Sequence, residues 1–488
     1  MRKASCVTSL LLMGALVAYA AAAASLSTRY DQTSGRLVIL LTEDGEEEEV
    51  GYVTAPSDGS APTACEDGSS GEDCLQFTDS SMAAATGRPL PQHQESDVFD
   101  HFSYVPKKDG KVGIAVRYWL FSDGRFVHVP PYVPLFVEQN TNDSKDALCF
   151  IAENADPYPT RRQGNVLEFN LCTYDNVKQA HEYAIENFLG KPEAIPDERM
   201  ATHPVWSTWA RHKKDIDDAT VRQIAADIIA HGFNESQLQV DDYWESCYGS
   251  LTFDTDKFPD VKTMVDDLHK LGYRVTLWAL ASGYFVTSAN GTVDTQWWRG
   301  VGGVIDFTNS EAAAWWACRV WALHKVTGID SFKFDARETS WLPYESTIEP
   351  LELNPVRFTD DYVKTVSQFG PLIEVRSSVR SQQQPVFFRM FDKHSSWSAQ
   401  NGLRTLIPSL LHMNVVGHPF VLPDMIGGNV NSGNGPDTEL YIRWLEAAVF
   451  IPALQMSIAP WDFDDEVRPV PASFNYQTFE AFNDSLAL

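Results

Sequence analysis

The residues of this chain that could do chemistry lie between Trp206 and Asp424. Lys333 and Asp335 stand two apart in Ser331–Asp335, where Ser-Phe-Lys-Phe-Asp alternates small or charged side chains with aromatic ones. As a strand, this stretch sends Lys333 and Asp335 to one face and Phe332 and Phe334 to the other. A lysine beside an aspartate favours the ionised carboxylate and lowers its pKa, which suits a nucleophile. The same two residues also make a structural ion pair, and by themselves they leave both readings open. Asp392, in Phe-Asp-Lys-His-Ser-Ser-Trp, sits in a loop-like stretch where a less constrained carboxyl suits an acid/base role or simply caps a turn. Asp241, Asp242, Trp278, Arg376 and Asp424 complete the set, Asp424 reading equally as a cap or turn residue. Carboxylates and arginine bond hydroxyls bidentately, and indole faces stack on the C–H faces of a pyranose. Two carboxyls flanking an anomeric carbon are what hydrolysis of a glycosidic bond requires.

These residues need a scaffold that brings distant segments to one mouth. After about Lys191 the chain repeats strand, loop and helix. The helix from Asp215 puts Val221, Ile224, Ala225, Ile228 and Ile229 on one face and stops at Gly232. The next carries Val261, Met264, Val265 and Leu268 and stops at Gly272, and two further helical stretches end at Gly328 and Gly370. Strands are expected at Val205–Trp209, Leu238–Asp242, Arg274–Leu280, Ser331–Asp335, Leu372–Arg376, Pro385–Met390, Phe420–Asp424 and Phe450–Met456. Eight strands interleaved with helices over about 250 residues predict an α/β fold, the (β/α)8 barrel, whose chemistry sits at the C-terminal ends of its strands. Ahead of it, short strands at Arg36–Leu41, Lys111–Phe121, Arg125–Val129, Val133–Val137, Leu148–Ala152 and Val166–Cys172 predict a β-sandwich. The expected division is a signal or anchor over residues 1–24, the sandwich over 25–190, the barrel over 200–470 and a short tail over 471–488.

With 66 acidic and 38 basic residues the chain carries a formal charge of -28, which disfavours nucleic acid or anionic lipid as a partner. Arg2 and Lys3 precede an apolar run from Val7 to Ala24 that ends in small residues, the pattern of a secretory signal. The expected location is therefore secreted or within the secretory-pathway lumen, or type II membrane-anchored if the run stays uncleaved. Sequons at Asn142, Asn234, Asn290 and Asn483 agree with that route, and Cys65 with Cys74 and Cys149 with Cys172 fit as local disulfides. Cys247 and Cys318 are left over, Cys318 reading as a buried thiol beside Trp315 and Trp316. No cysteine or histidine spacing points to a metal.

The stretch Trp206–Trp461 resembles glycoside hydrolase family 31, retaining exo-α-glycosidases, and most closely its myogenesis-regulating glycosidase branch. The family's nucleophile motif is Lys-x-Asp followed, one residue on, by Gly-Glu. Lys333-Phe-Asp335-Ala-Arg337-Glu338 matches it with Arg337 in the glycine's place. Asp392 precedes Trp397 by five residues, as the family's acid/base precedes a tryptophan, and Arg376 precedes Asp392 by sixteen, at the place of the family's hydroxyl-binding arginine. The resemblance implies Asp335 as nucleophile, Asp392 as acid/base, and Asp241 and Asp242 at the closed end of the subsite for the terminal sugar. Trp278, Lys333, Arg376 and Trp397 would contact substrate, and Asp424 would support the acid/base region. It implies a carbohydrate partner and no metal or organic cofactor.

Two departures shape the expected specificity and activity. Gln455-Met456-Ser457 stands where many α-glucosidases of the family have Arg-x-His, and the Asp241–Asp242 pair resembles that of α-galactosidases. The expectation is a retaining exo-α-galactosidase, with an α-glucosidase or a catalytically inactive, glycan-binding or partner-supporting relative as alternatives. Arg337 is expected to strain the backbone, if φ there is positive, or to crowd the pocket. The family's C-terminal β-domains are expected to be missing from a chain ending at Leu488.

Overall fold

The computed structural model describes residues 100–463 except 109–111, 140–147, 164–166, 234–235, 280–283, 299 and 432–434, and the strand backbone of segments between residues 5 and 99. The expected signal apart from the strand backbone at Ser5–Val7, Ala18–Tyr19 and Ala24, together with Cys65, the Cys74 side chain, the sequons at Asn142, Asn234 and Asn483, and the tail over 471–488, lie outside the described residues.

Eight parallel strands form one sheet: β1 (Val205–Ser207), β2 (Gln237–Val240), β3 (Arg274–Ala279), β4 (Ser331–Phe334), β5 (Glu374–Val375), β6 (Phe387–Arg389), β7 (Val421–Leu422) and β8 (Gln455–Met456). From β1 to β7 each strand pairs with the next in sequence, β8 pairs back onto β1, and a parallel bridge between Met425 and Gln455 joins the β7 end to β8. The barrel is thereby closed, as expected. Its strands are shorter than the apolar runs that announced them, because Asp241, Asp335, Arg376, Asp392 and Asp424 all follow the last ladder residue of their strand. Several step out through the left-handed region, including Ala336 (φ 62°) and Asp424 (φ 71°).

Helices α1 (Asp218–Ala230), α2 (Val261–Lys270), α3 (Ser310–Thr327), α4 (Val356–Ser367), α5 (Leu406–Val415) and α6 (Thr438–Ala448) clothe the barrel. The Asp217 carboxylate accepts from Thr220 N at 2.7 Å and caps α1, and Asp260 does the same for α2 through Thr263 N at 3.0 Å. Each such cap contributes about 1 kcal/mol. Gly328 closes α3 in the left-handed conformation at φ 77°, which a side chain would oppose. The expected buried face of α1 holds except at Ile229. One residue on from Ile228, it is turned by about 100° and stands 41% exposed. Cys318 is likewise exposed rather than buried, since Ala317 and Trp316 take the inner positions of α3.

The strand at Ser331–Phe334 behaves as its alternation requires. Phe332 and Phe334 face outward against Phe369 of the α4–β5 turn, and Phe334 also packs on Trp316 of α3, at centroid distances of 5.3 to 5.7 Å. Lys333 and Asp335 point into the barrel mouth.

The preceding residues form two antiparallel sheets. Trp119, Val127 and Leu171 from one sheet meet Leu135, Val137, Leu148 and Phe150 from the other in a shared core, so the expected sandwich stands. Cys149 and Cys172 alternate with those core residues, and each packs in a different cluster on the outer side of its own sheet. Both are disulfide-bonded. The run expected as a strand from Lys111 ladders only from Tyr118, because Gly113 and Ile114 leave to pair with the barrel. Ser378 N donates to Gly113 O and Ala115 N to Ser378 O, both at 3.0 Å. A Cβ at Gly113 would meet Arg376 O at 2.6 Å, so this close approach requires glycine.

Candidate active site

At the C-terminal mouth of the barrel lies a cavity of about 320 Å³. Asp241 and Asp242 after β2, Trp278 of β3, Lys333 and Asp335 of β4, Arg376 after β5, and Arg389 and Asp392 from β6 converge on it. Of the expected site residues, seven line the wall and two do not. Trp397 stands 43% exposed on the loop after Asp392 and is absent from the wall. Asp424 is fully buried behind it.

Asp335 is the most heavily contacted carboxylate. Its Oδ1 accepts from Arg389 Nη2 at 2.7 Å and lies 3.2 Å from Arg376 Nη1, while Oδ2 accepts from Trp278 Nε1 at 3.1 Å. Burial disfavours its charge, but Arg376, Arg389 and Lys333, helped by the indole hydrogen bond, outweigh that and hold the carboxyl well below the usual range. Each guanidinium in contact is worth on the order of 4 kcal/mol in such surroundings. Asp335 therefore stays an anion in the wall of the cavity, the state a nucleophile needs.

Asp392 shares the same two cations. Its Oδ1 accepts from Arg389 Nη2 at 2.9 Å and from Arg376 Nη1 at 3.5 Å. Because one Arg389 nitrogen reaches Asp335 at 2.7 Å and Asp392 at 2.9 Å, the two carboxylate oxygens are within about 5.6 Å of one another. Burial works against the Asp392 charge, and Arg389 and Arg376 more than offset it, so this carboxyl too lies below its ordinary value.

Behind the wall, Asp424 orders the segment carrying Asp392. Its Oδ2 accepts from Lys393 N at 2.7 Å and from the Asn429 amide, and its Oδ1 lies 3.4 Å from Arg389 Nη1. Burial is the larger influence here and pushes its carboxyl up to about 6.

On the far side Lys333 Nζ donates to Asp241 Oδ2 at 2.8 Å and lies 3.8 Å from Glu374 Oε1 of β5. Desolvation alone would discharge this lysine, but the two carboxylates raise it instead. Ser207 Oγ also donates to Asp241, and the Tyr248 hydroxyl donates to Asp242 at 2.6 Å, fixing both acids. Gln455 Nε2 donates to Gln239 inside the barrel, and Ser457 Oγ accepts from Arg211 N, so neither residue of that triplet lines the cavity.

Arg337 resolves both expectations attached to it. Its φ is 76°, inside the left-handed region and a cost of roughly 1–2 kcal/mol, yet the side chain turns away from the cavity. The fully buried guanidinium lies 4.9 Å from the Phe307 ring centre, 5.5 Å from Phe358 and 5.1 Å from Tyr362. The pocket is left open. Glu338, next in the chain, points back and grips Arg376 through Nε to Oε1 at 2.7 Å and Nη2 to Oε2 at 3.1 Å. Sequence reasoning names neither Glu338 nor Arg389 as a site residue. Glu338 was legible as the last residue of the matched motif. Arg389, between Phe388 and Met390 in an apolar run, carries no local signal.

Residues 200–482 match the family model described as the glycosyl hydrolases family 31 TIM-barrel domain. The chain is 36% identical over 389 residues to myogenesis-regulating glycosidase of Mus musculus, covering 74% of this chain and 54% of that protein. It is 27% identical over 392 residues to the SITS-binding protein of Tetronarce californica, covering 73% and 52%. The chain thus spans about half the length of the curated relatives it matches. Among solved structures, a family 31 dextranase of Flavobacterium johnsoniae complexed with glucose superposes with a TM-score of 0.73 at 16% identity, over 98% of this chain and 61% of that one. At that identity the likeness speaks to the fold.

Proposed function

The chain belongs to glycosyl hydrolase family 31, and on that premise we propose that it is a retaining exo-α-glycosidase that removes a terminal α-linked sugar, with an α-galactoside as substrate. The observation that carries this reading is that Asp335 Oδ1 and Asp392 Oδ1 share one Arg389 nitrogen and so lie no more than about 5.6 Å apart. Carboxyls roughly 5–5.5 Å apart suit double displacement, whereas inversion needs about 6.5–9.5 Å to admit a water between sugar and base. Asp335 attacks the anomeric carbon as the C–O bond to the leaving group breaks, and Asp392 gives its proton to the departing oxygen. Water then attacks the glycosyl-enzyme, Asp392 takes its proton, and Asp335 departs with configuration retained.

For the first step Asp392 must hold a proton that Arg376 and Arg389 oppose in the free protein. Sugar hydroxyls that take over the Arg376 contact would remove part of that opposition. Asp241 and Asp242, each pinned by its own donor, are suited to hydroxyls at the closed end, and Trp278 supplies an indole wall. The galactoside preference is supported by the acidic pair and by Ser457, which faces Arg211 rather than the cavity. The N-terminal apolar run and the exposed sequon at Asn290 support action in the secretory pathway or outside the cell.

A panel of aryl α-galactoside, α-glucoside and α-xyloside, with proton NMR of the first anomer released, tests the reading. Expected are fastest turnover of the galactoside, initial release of the α-anomer, and a loss of about 10⁴-fold or more in Asp335→Ala. Initial β-anomer, or an unaffected Asp335→Ala rate, would overturn it. Faster turnover of the glucoside or xyloside would overturn the sugar assignment.

A further inference from the structure

The cavity has two levels. Its floor is built from strand ends, with Asp241, Asp242, Lys333 and Asp335, while its rim comes from loops that leave the barrel, among them the segments carrying Trp298 and Trp341. A terminal sugar seated on the floor over Asp335 therefore directs its leaving group toward the rim. One rim residue comes from outside the barrel altogether, namely Lys108 of the sandwich domain.

Its position is fixed by the backbone around it. Lys108 N donates to Ser340 Oγ at 2.9 Å, and Thr339 donates to Pro106 O through both N, at 2.7 Å, and Oγ1, at 2.8 Å. These bonds bind the segment at Pro106–Lys108 to the 3₁₀ turn Thr339–Trp341, which follows Asp335 by four residues. The half-buried Lys108 ammonium then lies 4.6 Å from the centre of the Trp341 ring, whose plane is stacked on Trp297 at 4.8 Å.

Among the described residues the ammonium is the one cation lining this cavity that has no carboxylate against it. Lys333 is paired with Asp241, and Arg376 and Arg389 with Asp335 and Asp392, while Asp242 accepts from the uncharged Tyr248 hydroxyl. Among the described residues no carboxylate lies within 4.0 Å of Lys108 Nζ, which has only an indole face beside it. An indole attracts a cation by about 0.5–2 kcal/mol but satisfies none of its three N–H donors. A cation held at a rim, with its donors free toward the path of the leaving group, is complementary to an anion there.

From this geometry we infer that Lys108 is a specificity residue of the leaving-group side, and that the preferred substrates carry an acidic group, a carboxylate or a sulfate, on the portion that departs. The inference rests on the glycosidase reading of the same cavity and assigns to the sandwich domain a part in choosing the substrate.

The test uses matched aryl α-galactosides: 3-carboxyphenyl and 3-sulfooxyphenyl against 3-carbamoylphenyl. The protein itself is expected to show a higher kcat/KM for both anionic compounds than for the neutral one, the preference shrinking as salt rises. In Lys108→Ala the anionic-to-neutral ratio should fall about tenfold, mostly through KM, and Lys108→Arg should restore most of it. The size of the ratio for the carboxylate against the sulfate tells which acid the rim is shaped for. Turnover of all three compounds with a ratio that Lys108→Ala leaves unchanged overturns the inference and leaves the glycosidase reading intact. Calorimetric binding separates the opposite case: Lys108-dependent preference for the anionic compounds without turnover upholds the inference and overturns the glycosidase reading.

Discussion

Two buried arginines flank the end of β4 and are treated in opposite ways. Arg389, inside the barrel mouth, touches three carboxylates, those of Asp335, Asp392 and Asp424. Arg337, outside the barrel and two residues after Asp335, lies among the rings of Phe307, Phe358 and Tyr362. Burial lowers the proton affinity of both. The carboxylates around Arg389 overcome this and raise it well above its ordinary value, whereas the aromatic surroundings of Arg337 leave it lowered, to about 10. The difference teaches what each cation is for. A charge set among charges alters how its neighbours hold protons, so Arg389 belongs to the chemistry. A charge set among rings gains packing and quadrupole attraction but moves no proton at the site, so Arg337 belongs to the scaffold.

The sharpest way to break this contrast is Arg389→Met. Without that guanidinium the two carboxylates lose their shared counter-charge, and kcat/KM should fall by about 10²–10³-fold. The pKa values of Asp335 and Asp392 should both rise, moving the acidic limb of the pH–rate profile upward. A profile that keeps its shape would remove Arg389 from the chemistry.

Arg337→Gly probes the other member. Glycine relieves the backbone at φ 76°, but it also empties the space among three rings. A net loss of about 1–3 kcal/mol is expected, read from urea unfolding, with turnover per folded molecule within about threefold of the parent. A large loss of kcat without loss of stability would mean that the outer arginine reaches the site after all.

A smaller effect separates the two sides by pH. Lys393, fully buried next to Asp392 with its Nζ donating to Thr405 and Ser409 hydroxyls, has its pKa pushed down to about 7 by burial. An unfolded lysine titrates near 10.4, so between about pH 7 and 10 the unfolded chain binds the extra proton and stability rises with pH. This contribution is lost as pH falls from about 10 to the folded value, and no further loss follows below it. Lys393→Met should flatten the rise, by up to about 1.4 kcal/mol per pH unit relative to the parent. Parallel stability curves for the two proteins would show that Lys393 keeps its charge throughout.

How much of this was legible beforehand follows from the range of each signal. The period-2 pattern at Ser331–Asp335 is local, and it correctly sent Lys333 and Asp335 inward and Phe332 and Phe334 outward. The eight strands were legible from apolar runs and the helix stops between them, though not their short ladders, since where a strand ends depends on its neighbours. Arg389 escaped notice because only barrel closure decides that it reaches Asp335, 54 residues away in the chain. The exposed position of Trp397 was not legible for the opposite reason: spacing from Asp392 fixes sequence distance but not direction, and the loop carries it to the surface. The outward turn of Arg337 depends on two successive left-handed residues, Ala336 and Arg337, which residue preferences argue against.

The account stands most directly on Asp335 as the residue that becomes covalently bonded to the sugar. Incubation with a mechanism-based galactosyl-configured aziridine, followed by proteolysis and mass spectrometry, reads this in one step. The account predicts one label per chain, on the peptide carrying Asp335, and none in Asp335→Ala. A label on Asp392 or elsewhere, or a protein that binds the reagent and stays unlabelled, would contradict it.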